Sequence, residues 1–185
     1  GFTDPRRLQR YFSKAAEAHV LLDGYRAVRE FFEGREFAVR PGESAFSAGY
    51  SQGGHAALAA ADLLDQYAPD VPLRGAIGFA ATSNVTTLIK EAAYYAPYIF
   101  YSYREMYGQG EVNPSLYLQD RFAETLEEDM AERCVKEMEL YYPFDGRELF
   151  RPEFYEALHG DRLEQEYPGL YRRLEENLTG LDGHG

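Results

Sequence analysis

The chain has 185 residues, 45% of them hydrophobic, and a formal net charge of −12. This composition suffices for a packed core and excludes a low-complexity or fibrous protein, while the acidic balance argues against nucleic acid and anionic membranes as main partners. The mean hydropathy is −0.50, and no run of about 18 apolar residues is present, so no integral membrane span is expected. The single cysteine, Cys134, excludes an internal disulfide and a multi-cysteine metal site.

The first predicted element is a long amphipathic helix. Asp4 and Pro5 are typical of a helix start, with an N-cap residue followed by proline at the first helical position. Apolar residues then recur at spacings of three and four from Leu8 to Phe32. Gly34 favours a helix end directly after this stripe.

A strand, a helix and a second strand follow within about 40 residues. Residues 45–50 are small or aromatic and uncharged, residues 51–67 include an alanine-rich helix pattern, and residues 73–82 form another apolar run of strand length. This order is typical of a βαβ unit, whose two strands are parallel and joined by a right-handed crossover. The fold class is therefore expected to be α/β.

After residue 83 the sequence predicts helices and no convincing strand. The predicted segments are residues 85–107, interrupted by Pro97, residues 116–142, which form one or two helices, and residues 152–158 and 167–178. Cys134 falls on the apolar stripe of the second segment and is expected to be a small core residue. The tyrosines of residues 94–107 suit either the wall of an acyl pocket or ordinary helix packing, and the sequence leaves both open.

One motif indicates a catalytic site. Residues 49–54 read Gly-Tyr-Ser-Gln-Gly-Gly and match G-x-S-x-G between a predicted strand and a predicted helix. Such a turn presents the hydroxyl of a nucleophilic serine, here Ser51, and glycines near it leave room for the neighbouring strand and helix. The backbone N–H of Gln52 is then a candidate oxyanion donor, and Gly49, Gly53 and Gly54 are candidate structural residues of the elbow.

The surrounding sequence strengthens the match. Residues 49–64, the following Tyr-Ala-Pro and the run PLRGAIGFAAT resemble the α/β-hydrolase esterases and secretory lipases that carry a large helical cap. Residues 17–30 are similar to the helix that precedes the nucleophile strand in that family. The resemblance implies part of an α/β-hydrolase parallel sheet in residues 1–83, with Ser51 on the nucleophile elbow, and a helical cap or lid in residues 84–185.

The remaining members of a catalytic triad are not evident. The family order is serine, then an acid, then a histidine, each normally after its own strand. His55 lies on the elbow helix and is expected to be structural, and His159 lies among the cap-like helices and is expected at the surface. Asp182 and His184 are too close together to be positioned by separate strands. We therefore expect the rest of a longer hydrolase chain to complete the sheet and to supply the acid and the histidine.

The sequence thus predicts a serine hydrolase that cleaves small-molecule carboxylic esters through an acyl-enzyme on Ser51, with no metal or other cofactor. The elbow alone does not distinguish an esterase from a peptidase or an acyltransferase on the same fold. A non-catalytic binding scaffold that keeps the fold and has lost its base is the rival from a different class.

Overall fold

The computed structural model describes residues 9–180, which form two compact units. We call residues 12–83 and 177–180 the elbow unit, and residues 9–11 and 84–176 the helical unit. Both units include a short segment from the opposite end of the chain. The backbone N–H of Tyr11 donates to Ser102 Oγ (2.9 Å), and that of Thr179 donates to the carbonyl of Ser83 (3.1 Å). The functional division into a catalytic core, residues 1–83, and a cap, residues 84–185, stays a prediction.

The elbow unit contains the expected βαβ arrangement. Its elements are α1 Lys14–Phe32, β1 Ala45–Tyr50, α2 Gln52–Asp62, α3 Leu64–Tyr67 and β2 Leu73–Phe79. The two strands pair in parallel, with Gly49 opposite Gly78. The parallel strand pair predicted for residues 45–50 and 73–82 is therefore confirmed, although β2 ends at Phe79.

The alanine-rich helix α2 packs against α1 and against both strands. Its alanine side chains are small enough to allow this close approach, and Ala57, Ala59 and Ala60 are fully buried. Leu22 of α1 shares one apolar cluster with Ala60. A helix that is apolar on nearly all sides is expected to be covered in this way.

Only one face of the small sheet is covered within the described chain. Phe46 and Tyr50 of β1 are 72% and 74% exposed, and Ile77 and Phe79 of β2 are 54% and 59% exposed. Alternation along a strand places these side chains on the face opposite α2. An apolar sheet face of this kind is typical of a surface that another layer of structure covers.

Two details differ from the sequence prediction for this unit. Residues 9–13 are not helical, and α1 begins at Lys14, where Ser13 acts as N-cap and accepts a hydrogen bond from the Ala16 N–H. Phe12 has φ = 50°, which a continuing helix does not permit. The predicted helix start at Asp4 and Pro5 lies outside the described residues. The predicted helix over residues 51–67 is interrupted at Leu63, where α2 gives way to α3.

The helical unit consists of helices, as the sequence predicts, but they are shorter than the predicted segments 85–107 and 116–142. The isolated bridge between Leu118 and Phe150 is its β pairing in the described chain. Its α-helices are α4 Val85–Glu91, α5 Ala96–Tyr107, α6 Asp120–Ala123, α7 Leu126–Glu132, α8 Val135–Tyr141, α9 Gly146–Leu149, α10 Pro152–His159, α11 Leu163–Glu166 and α12 Pro168–Glu176. Pro97 lies in the first turn of α5, where proline is tolerated. No helix between residues 9 and 180 is both long and apolar enough to cross a membrane.

Aromatic side chains fill the interior of the helical unit. The most deeply buried are Phe100, Tyr103, Tyr117, Phe150 and Phe154. Of the tyrosine-rich segment, Tyr103 is therefore a core residue, which favours the packing interpretation there, whereas Tyr94 and Tyr98 are partly exposed. The prediction that Cys134 is a core residue is wrong. It is exposed at the N-cap of α8, because α7 ends at Glu132 and the apolar stripe of residues 116–142 is interrupted just before the cysteine.

A buried carboxylate stabilises the junction of α7 and α8. Asp129 accepts hydrogen bonds from Thr125 Oγ1 (2.9 Å), Tyr142 Oη (2.9 Å) and Arg133 Nε (3.2 Å). Burial of Tyr142 and its bond to this carboxylate raise the pKa of the phenol far above its ordinary value. These three donors satisfy the Asp129 carboxylate, which would otherwise be buried without hydrogen-bond partners. The cluster therefore has a structural role.

Candidate active site

Ser51 lies at the junction of β1 and α2 in a strained backbone conformation. Its φ is 53° and its ψ is −118°, a region that non-glycine residues rarely adopt. Strain of this kind costs about 1–3 kcal/mol and persists only where the surrounding structure enforces it. Here Ser51 N–H donates to the carbonyl of Phe79 (3.0 Å), which continues the strand pairing into the turn. The Ser51 hydroxyl makes no capping hydrogen bond to α2, so its oxygen does not serve as an acceptor for the helix N-terminus.

Close approach of the backbone explains two of the three elbow glycines. A Cβ on Gly49 would lie 1.9 Å from the carbonyl oxygen of Gly53, and a Cβ on Gly54 would lie 2.7 Å from Ala81 Cβ. A Cβ on Gly53 would meet no atom within 4 Å in the described chain. The steric requirement that the motif predicts is therefore present at Gly49 and Gly54, and the described packing supplies none at Gly53.

Gln52 is the first residue of α2. The first N–H groups of a helix have no intrahelical acceptor, and they lie at the positive end of its dipole. The backbone N–H of Gln52 is therefore a chemically suitable donor to an oxyanion that forms beside Ser51. The roles of Ser51 as nucleophile and of Gln52 as oxyanion donor remain predictions.

His55 is buried and has a partner at each ring nitrogen. Its side chain is 0% exposed, Nδ1 lies 2.5 Å from Glu17 Oε2, and Nε2 lies 2.9 Å from the carbonyl oxygen of Asn177. With both nitrogens occupied, this ring has no free position from which to accept the Ser51 proton. The structural role predicted for His55 is thus confirmed. His159, at the end of α10, is exposed, also as predicted.

A second histidine of the elbow unit, His19, contacts α3, which follows the end of α2 opposite to Ser51. The His19 ring stacks on the Tyr67 ring, with a distance of 3.6 Å between their centroids. Asp182 and His184 lie outside the described residues. The general base of a serine hydrolase is therefore not identified in the described part of the elbow unit. That part of the chain also contains no group of three or more histidine, cysteine or acidic side chains placed to hold a metal ion.

A broad polar groove in the elbow unit is separate from the motif. It has a volume of about 930 Å³, and its lining includes Arg26, Arg29, Arg40 and Asp70. None of the elbow residues 49–54 lines it. Its walls are charged side chains on the surface, which are typical of solvated loops rather than of a pocket for an apolar acyl group.

Two residues that contact the start of α2 are distant from it in sequence, and the sequence analysis does not identify them. Glu17 was only part of a family-like helix pattern, yet its Oε1 accepts a hydrogen bond from the Gln52 side chain (2.8 Å). Asn177 falls at the end of the predicted helix over residues 167–178, with no feature that singles it out. In the structure it is 1% exposed, its Oδ1 accepts from the Lys14 N–H, and its carbonyl faces His55.

Comparison with known proteins identifies the family. The family model for secretory lipases matches residues 5–144. No curated protein sequence matches the chain significantly.

Solved structures share the fold. The esterase LipA from Xanthomonas oryzae, described as degrading rice cell walls, is 18% identical with a TM-score of 0.69, and the match covers 93% of this chain and 48% of that one. Candida antarctica lipase A is 20% identical with a TM-score of 0.64, and the match covers 91% of this chain and 38% of that one. The chain thus spans about half the length, or less, of the structures it matches.

The matching family model, the parallel strands and the strained serine turn agree with one another. Together they confirm the predicted fold class, an α/β structure with part of a parallel sheet and a helical portion of the cap type. The chain belongs to the secretory lipase family and carries part of an α/β-hydrolase fold.

Proposed function

We propose that Ser51 is the nucleophile of a carboxylic ester hydrolase that acts through an acyl-enzyme. The observation that carries this proposal is the positive φ of Ser51 at the strand-to-helix turn, where Gly49 and Gly54 allow the close approach of the backbone. A serine held in this way at the end of a strand is the nucleophile position of the fold. Membership of the secretory lipase family supports esters as the substrate class.

In the proposed reaction, Ser51 Oγ attacks the ester carbonyl carbon and its proton passes to a histidine base. The Gln52 N–H donates a hydrogen bond to the oxyanion of the tetrahedral intermediate. Collapse of that intermediate breaks the bond to the alcohol, which leaves with the proton, and water then releases the acid from Ser51. These steps require no metal or other cofactor.

The base and the carboxylate that orients it come, in this proposal, from further chain of the same hydrolase. Two observations support this. His55, the histidine nearest to Ser51 in sequence, already has both nitrogens occupied. In addition, the apolar side chains of Phe46, Tyr50 and Phe79 are exposed on the sheet face opposite α2, and each strand has a single neighbour in the described chain. Added strands and helices would pair those edges and cover that face.

The experiment that tests the proposal compares two serine variants of the full-length protein. Ser51→Ala is expected to lower hydrolysis of a short-chain aryl ester by several orders of magnitude, because only transition-state binding remains. Ser83→Ala, at an exposed serine after β2, is the matched control and is expected to retain wild-type activity. Wild-type activity in Ser51→Ala would overturn the proposal. An inactive wild type would favour a non-catalytic scaffold, and preference for amides or for transfer to alcohols would favour a peptidase or an acyltransferase.

A further inference from the structure

A single carboxylate on α1 contacts two residues in the first turn of the elbow helix. Glu17 Oε1 accepts a hydrogen bond from Gln52 Nε2 (2.8 Å), and Glu17 Oε2 lies 2.5 Å from His55 Nδ1. Gln52 directly follows Ser51, and the His55 N–H donates to the Ser51 carbonyl (3.1 Å). Glu17 is only 11% exposed, so these contacts are largely shielded from water.

The Nε2 side of the His55 ring, opposite to Glu17, also has defined contacts. Nε2 lies 2.9 Å from the carbonyl oxygen of Asn177, and the ring packs edge-on against Phe12 with 5.3 Å between centroids. A carbonyl oxygen accepts and cannot donate, so Nε2 carries a proton. The ring therefore lies between the Glu17 carboxylate and the Asn177 carbonyl, and it links α1, α2 and residue 177.

Residue 177 is itself anchored. The Lys14 N–H donates to Asn177 Oδ1 (2.8 Å). Further along, the Gly180 N–H donates to Asp62 Oδ2 (2.9 Å), and the same carboxylate, 1% exposed, pairs with Lys14 Nζ (2.9 Å). The Asn177 carbonyl, which accepts the hydrogen bond from His55 Nε2, therefore has little freedom to move away. Both ends of α2 are thus attached to the first turns of α1.

We propose that Glu17 is a positioning residue for the elbow: through Gln52 and His55 it holds the first turn of α2, so that the Ser51 hydroxyl and the Gln52 N–H keep their reactive geometry. This role rests on the proposed function of Ser51. Glu17 does not contact substrate. The strained φ of Ser51 makes such an external hold necessary, because a strained turn relaxes unless its surroundings enforce it. A misplacement of about 1 Å at a reacting group lowers a rate by about 100-fold.

Two substitutions separate the geometry of this contact from its charge. Gln at position 17 has the same length as Glu, so its oxygen can accept from Gln52 and its amide can donate to the Nδ1 of a neutral His55. Asp keeps the charge but is one methylene shorter, so it cannot reach both partners. Glu30→Gln, at an exposed position on the same helix, is the matched control.

The test measures kcat and KM for an aryl ester, together with thermal stability, in the full-length protein. Glu17→Asp is expected to lower kcat by about 10- to 100-fold with KM within about twofold, and Glu17→Gln is expected to retain kcat within about tenfold. Glu30→Gln should match the wild type. If Glu17→Asp keeps wild-type kcat, or if kcat falls only in proportion to lost stability and Glu17→Gln is no better, the positioning role is overturned.

Hydrogen exchange of the peptide that spans residues 51–55 provides a readout that does not depend on catalysis. Glu17→Asp is expected to increase exchange in this peptide by about tenfold or more, whereas Glu17→Gln should leave it close to the wild type, because opening of a local segment controls exchange. Unchanged exchange in Glu17→Asp would show that Glu17 does not stabilise the first turn of α2, even if the enzyme is active. If the wild type is inactive but exchange still increases in Glu17→Asp, the proposed function is contradicted, whereas the stabilisation of the first turn of α2 by Glu17 is supported.

Discussion

Replacement of Gly54 by alanine is predicted to destabilise the fold, although alanine is the better helix former. The new Cβ would lie 2.7 Å from Ala81 Cβ and 2.9 Å from Ala81 Cα, well inside the optimal separation of about 3.5–4.0 Å between carbon atoms. One of these contacts is with the backbone, so rotation of a side chain cannot relieve it. Overpacking of this kind costs about 1–3 kcal/mol in the free energy of unfolding.

Gly53 provides a control in the same helix turn. Gly53→Ala makes the same chemical change one residue earlier, where a Cβ meets no atom within 4 Å. Alanine is favoured over glycine in a helix by up to about 1 kcal/mol, and this preference applies at both positions. The difference between the two variants therefore isolates the steric contact at Gly54 and is predicted to be about 1–3 kcal/mol.

Urea unfolding of the full-length protein measures this difference directly. Gly53→Ala should unfold at the same or a higher urea concentration than the wild type, and Gly54→Ala should unfold at a lower one, with similar slopes. Equal shifts for the two variants would refute the inferred contact between α2 and the turn after β2. A loss of stability in Gly53→Ala would equally show that the space beside this glycine is occupied.

Two further predictions concern titratable groups in the helical unit. Tyr142→Phe should lower the free energy of unfolding by about 1.5–3 kcal/mol, because it removes a buried hydrogen bond to the Asp129 carboxylate, whereas Tyr141→Phe, at a more exposed ring, should change it by less than about 0.5 kcal/mol in urea unfolding. Partial desolvation of the ring and the nearby Lys90 lower the pKa of His159 in the folded chain, although the residue is exposed. The unfolded chain therefore binds more protons near the ordinary histidine pKa of about 6.5. Stability should therefore fall as pH decreases through about 6.5 and below, and His159→Gln should reduce that fall; an unchanged pH dependence would contradict the inferred environment of His159.

The elbow could be predicted from the sequence because its determinants are local. Two apolar runs of strand length with an alanine-rich helix between them are sufficient to predict the parallel pair. Gly49 is required by its close approach to the Gly53 carbonyl within the turn itself, so the motif identifies the turn without knowledge of the rest of the fold, whereas Gly54 is required by Ala81 in the turn after β2. The same tight turn gives Ser51 its positive φ.

Other features could not be predicted because they depend on distant parts of the chain. Glu17 and His55 are separated by 38 residues, and His55 and Asn177 by 122 residues, so no local pattern indicates that they meet. Cys134 was misplaced for a related reason. The apolar stripe on which it falls assumes one continuous helix, whereas the structure ends α7 at Glu132 and exposes the cysteine at the next helix start. Periodicity identifies a face only within an unbroken helix.

The central claim is that Ser51 is an activated nucleophile, and covalent labelling tests it most directly. The full-length protein is treated with a fluorophosphonate probe, and the modified residue is located by mass spectrometry of its peptides. A serine hydroxyl is a weak nucleophile unless a base takes its proton, so labelling reports both the residue and its activation. The account predicts labelling at Ser51 in the wild type and in Ser83→Ala, and none in Ser51→Ala. Labelling at a different serine, or no labelling of an ester-hydrolysing wild type, would contradict it.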